Sequence, residues 1–270
     1  MPFNSIDTLL AALPSASDQI HNKTGFASQT VGQFASLWRA FGNPAQGAVP
    51  GAAAVCTDAL AGAFSLPART GLQQRAILYL STTMPIQQGY VLVDRLAHMG
   101  GLSGIVTTAQ TVSVDVSGAG SNLPARIADT LYRNVRWFLE WYTTTGATVV
   151  NATCAVTYSD NSTGNIVVAL PASVAAARMI EIVSPGPLAI KAVNTVTLSA
   201  TTGTAGSFGV TAMRVLADAF PVAANVLATF DWAALGLPLV EDSACLTPVI
   251  YAFASTNIGN TTARFKIGVA

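Results

Sequence analysis

The chain has 270 residues, of which 51% are apolar and only 10% charged, with 13 basic and 13 acidic side chains and no net charge. An ordinary soluble domain carries about 25% charged residues, so this surface has little with which to hold other copies away. The arginines are scattered and form no basic run able to neutralise a row of phosphates, which argues against a nucleic-acid partner.

A mean hydropathy of +0.48 raises the question of a membrane. Residues 192–213 are free of charge but rich in Thr, Ser and Gly, and 219–240 carries Asp231 and two prolines. Neither reads as about twenty continuous lipid-facing residues. The N-terminus lacks a basic stretch followed by an apolar run and a cleavage site, so no signal peptide is expected. Cys56, Cys154 and Cys245 are odd in number and far apart, which fits neither a disulfide framework nor a zinc site; they read as small buried side chains.

In chain order, Asn4 or Ser5 can cap a short helix carrying Ile6, Leu9, Leu10 and Leu13, ended by Pro14. Ser28 can cap a second, in which Val31, Phe34, Leu37, Trp38 and Phe41 fall at three- and four-residue spacing. GNPAQGAVPGA (42–52) reads as a Pro/Gly linker, and 53–63 as another short helix. Strands are expected at 76–82, 89–96 and 111–117, the last with strict alternation of Val112, Val114 and Val116. MGGLSG (99–104) reads as a turn. The clearest helix runs from Asn122 to about 143, with Pro124 in its first turn and Ile127, Leu131, Val135, Phe138 and Tyr142 as a stripe. Trp137 and Trp141 widen that stripe, so two sides of the helix are expected to be covered. Further strands follow at 148–158, 165–170, 179–183, 193–200, 208–216, 249–255 and 263–269, with SDNSTG as a hairpin turn. The expected fold is mainly β, a sandwich or jelly-roll-like domain over 53–270 that includes helix 123–143, preceded by a helical arm and linker over 1–52.

Five segments carry a family resemblance: SLWRAFGNPAQGAVPG (36–51), VLVDRLAHMGGLSGIVTTAQTV (91–112), WYTTTGATVVNATCAVTY (141–158), TVTLSATTGTAGSFGVTAMRVLA (195–217) and FDWAALGLPLVEDSACLTPVIYAF (230–253). In this order they resemble a family of structural proteins from the virions of tailed bacteriophages. The resemblance implies a virion location and a structural subunit, either a head-associated decoration or cement protein or a neck, tail or baseplate component. It also implies association with its own copies, as a trimer, and with other virion proteins. A host-surface carbohydrate-binding module is a further alternative, and exposed aromatics in a shallow groove would support it.

The residues that bear chemistry argue against an enzyme. Asp94, His98 and Ser103 can be written as a triad, but no nucleophile elbow accompanies them, and a structural polar pair is the simpler reading. The glycine-rich 99–104 lacks the Lys-Ser/Thr of a phosphate loop, and Glu241 and Asp242 are neighbours that point apart in an extended chain. No cofactor and no metal site is expected. Phe34, Leu37, Trp38, Phe41, Trp137 and Trp141 are the candidate protein-interface residues, since buried aromatics dominate interface energetics.

Overall fold

The computed structural model describes residues 3–26, 29–253 and 259–270. Helix α1 (Ile6–Ala12) precedes strands β1 (Ser17–Lys23), β2 (Phe34–Ser36), β3 (Gly42–Asn43), β4 (Ala54–Val55), β5 (Arg75–Thr83), β6 (Gln88–Ser103) and β7 (Gln110–Asp115). Helix α2 (Leu123–Ile127) leads to β8 (Arg136–Trp141), β9 (Val150–Tyr158), β10 (Thr163–Leu170), β11 (Arg178–Ile182), β12 (Ile190–Leu198), β13 (Ser207–Ala219) and β14 (Ala228–Asp231). The one-turn helix α3 (Trp232–Leu235), β15 (Leu239–Val240), β16 (Leu246–Ala252) and β17 (Thr261–Val269) follow. The chain is mainly β, in antiparallel sheets.

One outer sheet has the order β14-β5-β17-β1-β3, with β15 added on β5; the other has the order β10-β9-β12-β7. Between them lies the sheet β13-β8-β11-β2-β16-β6-β4, in which β13 also pairs with β6. That extra pairing closes a ring of β6, β13, β8, β11, β2 and β16, antiparallel throughout. Closure removes the exposed edges that an open sheet would have to protect.

Alternation sorts the ring's side chains. Val91, Val93, Phe138, Met179, Met213 and Val249, with Phe34 and Tyr251, form one cluster to which all six strands contribute, and it fills the inside of the barrel. Their neighbours face outward. Trp137, Leu139 and Trp141 of β8 join Val112, Val114, Cys154 and Val196 of the second outer sheet. Tyr90 and Leu92 of β6 and Ala35 of β2 join Ile77, Leu80, Phe265 and Ile267 of the first. The barrel therefore has a core inside it and a core on each of two outer flanks.

Helix α1 starts at Ser5, whose side chain accepts from the Thr8 amide while the Thr8 hydroxyl accepts from the Ser5 amide. The other expected helices are not formed. Residues 34–36 are strand β2, and 54–55 are strand β4; the proposed cap Ser28 lies outside the described residues. The long amphipathic helix is replaced by α2, which ends at Ala128 in the left-handed conformation (φ 58°), and by strand β8. RWFLEW has apolar residues on consecutive positions because β8 is buried on both faces, by the barrel interior and by the second outer sheet. A strand of that kind loses its alternation and imitates a broad helical stripe. Residues 99–103 continue β6 rather than turning.

The first outer sheet carries a titratable group whose effect can be measured. His21 of β1 is buried, with Nε2 2.7 Å from Thr261 Oγ1 and its ring edge-on to Tyr90 at 5.3 Å. Burial, then the Lys23 charge, lowers its pKa from 6.5 to about 3. The folded state thus keeps His21 neutral where the unfolded chain takes up a proton. Stability is whole above the unfolded value and falls as pH drops from 6.5 toward 3, by at most about 1.4 kcal/mol per pH unit. Denaturant unfolding at several pH values should show this one-proton slope in the parent and a flatter profile in His21→Gln. Parallel profiles would refute it.

Candidate functional site

Three levels make up the barrel interior. At one end Arg95 and Glu140 are both buried and paired at 2.6 Å, Nη2 to Oε2. Thr211 Oγ1 accepts from Arg95 Nη2 at 2.9 Å and donates to Glu140 Oε2 at 2.5 Å. Burial works against the Glu140 carboxylate, but the Arg95 guanidinium and the Ser36 and Thr211 hydroxyls hold its carboxyl below the usual range. Arg95 Nε donates to His98 Nδ1 at 3.0 Å, which makes that ring nitrogen the acceptor.

This end is plugged. The Trp38 ring lies under the Arg95 guanidinium, 4.7 Å from its carbon, and edge-on to His98. The Pro/Gly segment closes over it: Trp38 Nε1 donates to Ala48 O at 2.7 Å, and the Gly47 amide donates to Trp38 O at 2.9 Å. A Cβ on Gly47 would fall 2.1 Å from the indole, so glycine is required for this approach. The segment expected to be a spacer is a cap on the barrel.

Apolar side chains fill the middle level. At the far end Phe34, Val91, Val215, Asp218, Phe220 and Tyr251 border a recess of about 340 Å³ that Arg136 also lines. The Arg136 guanidinium lies over Phe34 and Phe138, at 4.6 and 5.3 Å, and is bidentate to Glu181. Phe220 and Phe253 at its rim are about two-fifths exposed. Such a mouth can take an apolar side chain with a polar end.

The triad candidates are not assembled. Asp94 is held by Arg126 through two bonds of 3.0 and 2.6 Å and accepts from the Cys245 amide at 2.9 Å. His98 is turned to Arg95, and Ser103 Oγ donates to Ala205 O at 3.2 Å. Asp242 binds Arg69 and Arg75, at 2.6 and 2.7 Å. Among the described residues no group of three or more His, Cys, Asp or Glu side chains could hold a metal, and no helix is long and apolar enough to cross a membrane.

Of the candidate interface residues, Leu37, Trp38, Trp137 and Trp141 are buried by the chain itself, and Phe34 is half-buried in the barrel mouth. Phe41 alone is open, at 67% exposure. Sequence reasoning missed the Arg95–Glu140 and Arg126–Asp94 pairs, whose partners lie 45 and 32 positions apart. An arginine inside an apolar strand run, VLVDRLA, was the one available signal that an internal acid is needed.

No family profile and no curated protein matches the chain. The solved structures it is similar to include T=1 particles derived from infectious bursal virus, 12% identical over 94% of this chain and 78% of that one, with a TM-score of 0.16. The VP2 subviral particle of infectious bursal disease virus is 9% identical over 94% and 81%, with a TM-score of 0.14. Overlaps this poor establish no shared fold.

Proposed function

We propose that the chain is a non-enzymatic structural subunit of a tailed-bacteriophage virion, a head-associated decoration or cement protein that binds its own copies, as a trimer, and other virion proteins. The observation that carries this reading is the surface. Lys23, Arg75, Asp94, Arg95, Arg126, Glu140 and Arg178 are buried, so the few charges are further depleted outside. Leu72, Val222, Phe41, Val149, Ile6 and Leu227 are each more than three-fifths exposed. Open apolar side chains on so weakly charged a surface suit permanent contact with neighbours. The five segments that resemble phage virion proteins point the same way. Sheets stacked on the two flanks of the barrel, in the manner of a sandwich, would offer broad faces for such contacts.

Antibody labelling of purified particles by electron microscopy, with light scattering of the isolated protein, tests the proposal. Label in a regular array on the head and a threefold mass at micromolar concentration are expected. Label confined to the neck or tail would overturn the head placement, and unlabelled particles with a monodisperse monomer would overturn the whole reading.

A further inference from the structure

Two of the three cysteines meet at the capped end of the barrel. Strands β16 and β4 both run against the same edge of β6, one after the other. Arg95 N donates to Cys245 O at 2.9 Å, just before β16, and Cys56 N donates to the next residue's carbonyl, Leu96 O, at 2.9 Å, just after β4. Cys56 and Cys245 thus occupy adjoining places on one strand edge, although 189 positions separate them in the chain. Their side chains share a small buried cluster with Trp38. Both are buried, and both are free thiols here.

We propose that Cys56 and Cys245 are a disulfide-forming pair that locks the capping segment onto the barrel when the chain folds in the presence of a low-molecular-weight disulfide. The Cys56 thiolate attacks one sulfur of glutathione disulfide and expels a glutathione thiolate. Cys245, giving its proton to that thiolate, attacks the Cys56 sulfur and expels the second glutathione. Two protein thiols are oxidised and one glutathione disulfide is reduced to two glutathione thiols.

Local chemistry favours Cys56 as the first nucleophile. Burial pushes its thiol up, but hydrogen bonds from Cys245 and His98 and the Arg95 charge reverse the direction and hold it below the ordinary value. Cys245 is pushed up by burial and by Cys56. The first attack requires the cap to be open, and β4 holds that segment to β6 through only two paired residues. Cys154 lies in β9, inside a different core, and burial pushes its thiol up to about 12, so it serves as an internal control.

The full-length reduced chain should be refolded from denaturant in a buffer of glutathione and its disulfide, then denatured and its thiols counted. We expect one reactive thiol per chain in place of three, a mass lower by two hydrogens, and tryptic peptides 40–69 and 215–264 joined. Cys154→Ala should leave the bridge in place, and Cys56→Ser should abolish it. The parent peptide map needs no variant to fold. Three remaining thiols, a glutathione adduct without a bridge, or a bridge that involves Cys154 or a second chain would each overturn the proposal.

Discussion

A chain lacking residues 1–41 is expected to lose its cooperative fold. β1 lies between β17 and β3, and β2 lies between β11 and β16, so both are interior strands. Taking out β2 opens the barrel and leaves the facing edges of β11 and β16 unpaired. The same deletion removes Leu37 and Trp38, both almost fully buried, and exposes the Arg95–Glu140 end of the interior. Burying a large apolar side chain is worth about 1.5–3 kcal/mol, and removing a tryptophan from a core costs about 3–5. A whole domain is stable by only about 5–15 kcal/mol. Residues 42–270 should therefore show no sharp thermal transition by circular dichroism or calorimetry. A soluble, cooperatively unfolding 42–270 would refute this and would favour a separable arm.

Asp94→Ala should be the most damaging single substitution among the residues that sequence reasoning weighed for catalysis, and its effect should be on stability. The variant leaves the Arg126 guanidinium at 0% exposure, still bonded to Cys56 O and Arg95 O but without its counter-charge. It also leaves the Cys245 amide without its acceptor. Breaking a buried pair from one side costs about 3–5 kcal/mol, which for a chain of this size lowers the melting temperature by roughly 10 °C. Replacing both partners, with Asp94→Leu and Arg126→Met, should cost less than Asp94→Ala alone, because no charge is stranded. Thermal melts of Asp94→Leu, Arg126→Met and the double variant form the cycle, with Asp94→Ala measured beside them. An unchanged midpoint for Asp94→Ala would show that the pair is not structural.

The interior of the barrel was largely illegible from sequence, and particular residues show why. Glu140 stands between Leu139 and Trp141, and nothing local marks it as facing Arg95 rather than solvent. Trp38 reads as part of an apolar helical face with Leu37 and Phe41. In the fold these three separate: Leu37 enters the core against the first outer sheet, Trp38 plugs the barrel, and Phe41 stays exposed. Cys56 and Cys245 gave no spacing signal, because what brings them together is the shared edge of β6.

By itself the sequence determined the mainly β character, the hairpin of β9 and β10 around its polar turn, the Ser5-capped first helix and most later strands. In each, one face is solvated or one turn is local, so polar and apolar residues fall in a period the chain itself displays. β17 is the clearest instance: Ala263, Phe265 and Ile267 are buried, and Arg264 between them is open. Only the tertiary structure decided that 136–141 is a strand, that 42–52 is a cap, and that the central sheet closes. Burial on both faces of β8 erases the alternation that would have marked it. Ring closure depends on the pairing of β13 with β6 and of β2 with β11 and β16, contacts between segments more than a hundred residues apart whose register no local pattern records.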